Sequence, residues 1–223
     1  MIKIALCGYK GRMGGRIEFF VSQDPDIRVL SRIDAEDVTS GAFDDVDVVI
    51  DFSSAVGTTE HIREAVAKGK PLVLGTTGLS SDQEAEISRA ASKIALLKSA
   101  NMSLGVNVLL KMIEETASAL GDSYSISIEE THHVHKKDSP SGTALMMKKA
   151  AAKNFDGEIN VLAHREGEVV GDHKIVFEGK EETLTFFHHA KSRDVFARGA
   201  IAAAKWIVGR KAGLYTMQDV LFG

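Results

Sequence analysis

The stretch Ile2-Lys3-Ile4-Ala5-Leu6-Cys7-Gly8-Tyr9-Lys10-Gly11-Arg12-Met13-Gly14 decides the fold. Ile2 to Cys7 is an apolar run of strand length, and the segment from Arg12 to Ser22 carries helical spacing. Between them glycines recur at positions 8, 11 and 14. A pyrophosphate needs a tight turn, close approach of the backbone, and a helix whose first amides point at the anion. The spacing departs from G-x-G-x-x-G because Tyr9 and Lys10 separate the first two glycines, and glycine here also suits a chain that merely has to turn. Asp34 ends the next strand, where its carboxylate either accepts the hydroxyls of an adenosine ribose or caps a turn. A carboxylate repels a 2′-phosphate, so NADH is expected to be at least as acceptable as NADPH.

Outward from this unit the pattern repeats. Strands are predicted at Ile27–Ile33, Val46–Phe52, Pro71–Leu74 and Ile94–Leu97, with helices over residues 58–69 and 81–93. Strand-helix alternation with near-continuous apolar strands predicts an α/β fold, a doubly wound parallel sheet covered on both faces. Two more turns fall at strand ends, Gly75-Thr76-Thr77-Gly78 and Ser99-Ala100-Asn101-Met102, where such sheets place ligands. After Asn101 the pattern changes. Helices are predicted over Val106–Leu120 and from Gly142 to about Lys153, with a strand at Tyr124–Ile128. Runs at Ile159–His164, His173–Glu178 and Glu182–His188 have no helices between them, which suggests antiparallel neighbours in a mixed α+β domain. The helix Val195–Val208 and an unassigned tail follow.

Composition bounds the function. Hydrophobic residues at 44% and charged residues at 26% exclude a disordered chain. Acidic side chains outnumber basic ones 31 to 27, so no excess exists to neutralise phosphates and no nucleic-acid partner is expected. One cysteine, Cys7, excludes an internal disulfide and a cysteine-rich zinc site and reads as a packed core residue. The opening MIKIALCG meets glycine too early for a signal-peptide core or a membrane span. A cytoplasmic protein without a membrane partner is expected.

Seven of the eight histidines fall at or after position 132. The dense run is Glu129-Glu130-Thr131-His132-His133-Val134-His135-Lys136-Lys137-Asp138-Ser139-Pro140-Ser141-Gly142-Thr143. Adjacent imidazoles rarely share one ion and two lysines repel a cation, so no metal is expected. A solvated loop is one reading. The other is an anion site, in which Ser141, Gly142 and Thr143 open a helix as a carboxylate cradle. Lys136 adds positive charge, and His132, His133 and Lys136 supply protons or hydrogen bonds near neutral pH. Such a cradle facing a dinucleotide suggests hydride transfer to an unsaturated acid or imine. Another two-domain NAD(P)-dependent dehydrogenase, or a non-enzymatic dinucleotide-sensing regulator, remains the alternative.

The chain as a whole resembles the dihydrodipicolinate (4-hydroxy-tetrahydrodipicolinate) reductase family of lysine and diaminopimelate synthesis. The resemblance rests on GYKGRMG at 8–14, VVIDFSS at 48–54, LGTTG at 74–78 and SANMSLGVN at 99–107. ETHHVHKKDSPSGTAL at 130–145, REGEVVGDH at 165–173 and HHAKSRDVFARGA at 188–200 complete it. It implies a Rossmann-like dinucleotide domain, 1–103 with 199–223, and a substrate-binding and tetramerisation domain, 104–198. It implies that Gly8, Tyr9, Lys10, Gly11, Arg12 and Met13 hold the pyrophosphate and Asp34 the ribose. Gly75, Thr76, Thr77, Ser99, Ala100, Asn101 and Met102 would line the nicotinamide side. His132 and Lys136 would be the acid/base pair, His133 a substrate ligand, and Gly142 and Thr143 the clamp on a carboxylate. The substrate implied is a cyclic dicarboxylate, the cofactor NADH or NADPH, the assembly a homotetramer, and substrate would draw a hinge shut.

Three features depart from the family pattern. Val134 stands where arginine is usual, Met102 replaces a common phenylalanine, and little chain lies between Asp34 and Asp47. His61, on a predicted helix, reads as a surface residue, and Trp206 as core or interface. Arg165, His173 and Arg193 belong to the motifs without a readable role.

Overall fold

The computed structural model describes residues 1–35, 37 and 39–223. Part of the short connection from Asp34 to Asp47 therefore lies outside the described residues. The chain forms two compact units, Met1–Leu104 with Asp194–Gly223, and Gly105–Arg193.

In the first unit β1 (Ile2–Cys7) leads through the glycine turn into α1 (Arg12–Val21) and β2 (Ile27–Ile33). Then come β3 (Val48–Asp51), α2 (Ala55–Ala67), β4 (Leu72–Leu74), α3 (Ser81–Ala91) and β5 (Ala95–Lys98). From α4 (Leu104–Leu120) the chain passes into the second unit: β6 (Ser125–His132), α5 (Gly142–Ala151), β7 (Ile159–Arg165), β8 (Asp172–Glu178) and β9 (Thr183–His189). It returns through α6 (Asp194–Ile207), β10 (Gly213–Tyr215) and α7 (Met217–Phe222).

The first sheet has six strands in the order β10-β5-β4-β3-β1-β2, and every pairing is parallel. Alternation along the strands splits its side chains between two cores. Ile4, Leu6, Ile50, Val73 and Leu97 pack with Ile17 and Phe20 of α1 and Ala197, Ala200 and Ala204 of α6. Ala5, Cys7, Val49, Leu72 and Leu96 pack with Ile62 and Ala65 of α2 and Ile87 and Ala90 of α3. The doubly wound sheet is thus the direct outcome of strands that are apolar on both faces. Cys7 is fully buried, and burial pushes its thiol well up.

Several elements differ from the sequence reading. The strand β10 went unread, because three residues, Gly-Leu-Tyr, carry no periodicity; it pairs with β5 along the edge. The return to the first unit begins at Asp194 rather than 199, because α6 is one helix whose alanine face, from Ala197 onward, belongs to the first core. A Cβ at Gly199 would lie 1.7 Å from the Met102 carbonyl oxygen, so that helix crosses the backbone as closely as glycine permits.

The second sheet runs β7-β6-β8-β9. The β8 and β9 strands are antiparallel neighbours. The expectation fails for β7, which pairs parallel to β6, with β6 between it and β8. The crossover helix that parallel strands need is α5, lying before β7 rather than between the later runs. β6 also continues through Glu129–His132, beyond the predicted end at Ile128. Ile126, Ile128, Ile175 and Phe177 pack beneath Val106, Ile113, Ala144 and Met147 of α4 and α5.

Candidate active site

In the first unit the turn after β1 meets the residues that follow β3, where the strand order reverses. Gly8 has φ +80, and a Cβ on it would lie 2.5 Å from the Phe52 carbonyl oxygen. At Gly14 a Cβ would lie 2.2 Å from the Gly8 oxygen, so the helix rests on the turn. Gly11 is the N-cap of α1 in an extended conformation, and Gly15 is the first amide to bond back, to the Gly11 oxygen at 3.0 Å. The amides of Arg12, Met13 and Gly14 precede that bond and have no acceptor inside the helix. Positive φ, excluded Cβ positions and this uncapped helix mouth at a switch point together fit a dinucleotide pyrophosphate.

Asp34 takes the turn-capping place of its two sequence readings. Its Oδ2 accepts from the Lys10 amide at 3.0 Å and its Oδ1 from the Ala35 amide at 2.9 Å. These backbone bonds, Ala35 first, hold its carboxyl below the usual range. The carboxylate therefore braces the glycine turn, and its two oxygens have lone pairs beyond those these amides use.

Several of the remaining turn residues are tied inward. A Cβ at Gly75 would lie 2.3 Å from the Phe52 ring. Thr76 is buried and donates to Asp51 at 3.2 Å, while Thr77 is exposed. Ser99 donates to the Asn101 carbonyl at 2.7 Å, and Asn101 Oδ1 accepts from the Ser103 amide at 2.9 Å. Ala100 is exposed, whereas Met102, expected beside a nicotinamide, has its side chain in the first core at 2% exposure.

Asp51 is the feature of this unit that sequence reading missed. Fully buried at the end of β3, it accepts from the Ser53 amide and hydroxyl at 2.8 and 2.6 Å, Thr58 at 2.9 Å and Thr76 at 3.2 Å. His61 Nδ1 lies 3.1 Å away. Burial alone would raise the Asp51 carboxyl; hydrogen bonds and charge from His61, then Ser53, outweigh it and leave the carboxyl below its ordinary range. His61 is thus buried, not superficial as expected, because the helix turns it onto this carboxylate. The available signal was an aspartate ending an otherwise apolar strand, with Thr58 and His61 three apart on the next helix.

In the second unit the inner face of β6 reads Ile126, Ile128, Glu130, His132, all buried. Register places His173 of β8 opposite Glu130 and His188 of β9 opposite His173. Beneath the β6 end lies Ser141, N-cap of α5. The Glu130 carboxylate, 1% exposed, accepts from His132 Nδ1, from the Ser141 amide at 3.0 Å, and from Arg165 Nη1 at 3.1 and 3.2 Å. Burial raises its carboxyl, but His132, the Ser141 amide and Arg165 together bring it below the usual range. Burial lowers His132, and the opposing pull of Glu130 offsets only part of that.

Ser141 does not serve a cradle with its hydroxyl. It is 1% exposed; its Oγ caps the Ala144 amide at 3.2 Å and lies 3.2 Å from His173 Nε2. Gly142 opens onto empty space and Thr143 is half-buried, so the helix mouth itself is left to meet an anion. Asp138 is held below its usual range by the Lys136 ammonium, 2.8 Å from Oδ1, and by the Gly142 amide among smaller contributions. His133 donates its amide to the Val169 carbonyl at 2.7 Å, and Arg193 lies 3.4 Å from its Nε2. Val134 is 55% exposed. Arg165, unread in the sequence, also binds the Asp138 carbonyl at 2.5 Å and so anchors the loop from both ends.

No group of three or more His, Cys, Asp or Glu side chains among the described residues is arranged to hold a metal ion. No helix among them is long and apolar enough to cross a membrane.

Comparison with known proteins covers both units. Residues 2–102 match the family model for the dihydrodipicolinate reductase N-terminus, and residues 105–221 that for its C-terminus. A 4-hydroxy-tetrahydrodipicolinate reductase of Zymomonas mobilis is 39% identical over 99% of this chain and 97% of its own length. The enzyme of that name from Akkermansia muciniphila is 41% identical over 99% and 98%. Among solved structures, a dipicolinate-bound dihydrodipicolinate reductase from Paenisporosarcina superposes with a TM-score of 0.85 over 98% of this chain and 99% of its own, at 20% identity. That superposition establishes the shared fold, and the sequence matches carry the descent: this chain belongs to the dihydrodipicolinate reductase family.

Proposed function

We propose that the protein reduces 4-hydroxy-tetrahydrodipicolinate to tetrahydrodipicolinate with NADH or NADPH, as the names of its relatives describe. The observation that carries the reading is the cluster at the end of β6. A buried Glu130–His132 pair, the Lys136 ammonium and the open mouth of α5 at Gly142 lie within one short segment. Replacing a ring hydroxyl by hydrogen takes one hydride and one proton, and the hydroxyl leaves as water.

A bound reduced nicotinamide supplies the hydride. The residues of Gly8–Met13 hold its pyrophosphate, Asp34 the ribose, and the backbone around Gly75–Thr77 and Ser99–Asn101 its nicotinamide end. Gly142 and Thr143 at the α5 mouth take one substrate carboxylate in place of Asp138, with His133 as a further ligand. Lys136, released from Asp138, gives its proton to the departing hydroxyl, while His132 orients the ring. Asp34 favours a ribose without a 2′-phosphate, so NADH is used at least as well as NADPH. The lone buried Cys7 suits the reducing cytoplasm. Leu162 and Phe187, 53% and 62% exposed and facing outward from the second sheet, suit a homotetramer built through that sheet.

A coupled assay tests the reading. Dihydrodipicolinate synthase supplies fresh substrate while nicotinamide absorbance is followed with each cofactor. Substrate-dependent oxidation is expected; its absence with both cofactors refutes the assignment, and a large NADPH advantage refutes the preference.

A further inference from the structure

One buried carboxylate organises both halves of the substrate site. Strand alternation sets Glu130 and His132 on the same inward face of β6, and the single hydrogen bond between them uses His132 Nδ1. The same carboxylate receives the Ser141 amide at 3.0 Å, and Ser141 is the residue whose hydroxyl caps α5. Glu130 therefore fixes the imidazole and the helix mouth relative to each other. An ionised carboxylate has no proton to give, so the hydrogen in its bond to His132 belongs to Nδ1. The other ring nitrogen, Nε2, lies beside Gly171, where an added Cβ would stand 3.0 Å from it; the glycine keeps that nitrogen clear.

We propose that Glu130 is the positioning residue of this site: it locks His132 in the Nδ1–H form with the Nε2 lone pair presented as an acceptor. This rests on the proposed reductase reading. It divides the labour of the pair, since an imidazole so held accepts and orients, and the proton consumed comes from the Lys136 ammonium. The charged and titratable groups around the imidazole are Glu130 and Lys136 on its own segment, Arg165 of β7, and His173 of β8 with His188 of β9 behind it. Of these only the Glu130 carboxylate accepts a hydrogen bond from His132.

The test uses Glu130→Gln and Glu130→Asp in the full-length protein. A glutamine has one carbonyl oxygen where three donors converge, so a donor is left facing its amide nitrogen. Long-range 15N–1H correlation of the imidazoles, with His132 assigned through His132→Asn, is read in the free protein without cofactor or substrate. The wild type is expected to show the Nδ1–H tautomer at His132, retained in Glu130→Asp and lost in Glu130→Gln. Turnover of Glu130→Gln is expected to fall on the order of 10²-fold. Its kcat limb belonging to His132 should move to lower pH, because the carboxylate raises that group. A structural ion pair with Arg165 alone would lower the folded fraction and move neither the tautomer nor the limb. An Nε2–H tautomer in the wild type, or an unchanged tautomer in Glu130→Gln, overturns the proposal. Because the tautomer is read without substrate, failure of the coupled assay would leave it standing, and its failure would leave the reductase assignment intact.

Discussion

His173 is expected to make the second unit sensitive to mild acid. Its imidazole is 4% exposed. Burial first, then the neighbouring His132 and His188, pushes its pKa down from 6.5 to about 4. A histidine depressed in this way binds protons more readily in the unfolded chain than in the folded one. Its stabilising contribution is complete above pH 6.5 and is lost as pH falls from 6.5 towards 4. Between pH 6.5 and 5 the unfolded imidazole is protonated and the folded one is not. Over those roughly 1.5 pH units, at about 1.4 kcal/mol each, the loss is close to 2 kcal/mol. His132 and His188 are also lowered, so acid destabilises through them too, and His173 is isolated by a difference. His173→Gln keeps an amide for the Ser141 hydroxyl and removes the titration. Urea unfolding followed by far-UV circular dichroism at pH 7 and pH 5, at one protein concentration, measures both proteins. The variant should lose about 2 kcal/mol less than the wild type over that interval, whatever its stability at pH 7. Equal acid losses in the two would show that His173 is not held neutral by its surroundings.

Gly14→Ala should cost about 1–3 kcal/mol by overpacking against the Gly8 oxygen and weaken NADH binding measured by calorimetry. Unchanged affinity would remove the close helix–turn contact from cofactor recognition. Asp51→Asn keeps the shape but not the charge that gathers Ser53, Thr58, His61 and Thr76. A loss of about 1–3 kcal/mol is expected, together with faster amide exchange through residues 75–78. Lys136→Ala and His132→Ala should each lower turnover roughly 10²–10⁴-fold while binding NADH normally. Near-normal turnover of Lys136→Ala would remove it as the proton donor, and near-normal turnover of His132→Ala would remove it as the group that orients the ring.

The first unit was legible because its strands are apolar on both faces, and such runs are visible without knowledge of their partners. Asp51 and His61 were not, since a carboxylate closing a strand and a histidine on a helix acquire meaning only when the register of β3 and α2 is known. The second unit shows the same limit in its sheet order. Ile159–Arg165 has the composition of any strand, and only the position of α5 decides that it pairs parallel to β6. Glu130 hid in a run of charged residues that read as a loop. The i, i+2 pattern Ile126, Ile128, Glu130, His132 carried the signal that the strand continues and that both side chains turn inward. Ser141 shows the reverse error, a hydroxyl assigned outward that the helix cap turns to the interior.

The first unit is closed by residues from the far end of the chain, and synthesis proceeds from the near end. While the ribosome is still translating the second unit, β1 to β5 have been made but the alanine face of α6 and the edge strand β10 have not. Ile4, Leu6, Ile50, Val73 and Leu97 then lack the cover that α6 later provides. The inserted unit, contiguous in sequence, is free to finish first. A nascent chain stopped just short of Asp194 would have α1 but not α6 against this face, so apolar surface destined for the interior would still meet water until the last thirty residues arrive.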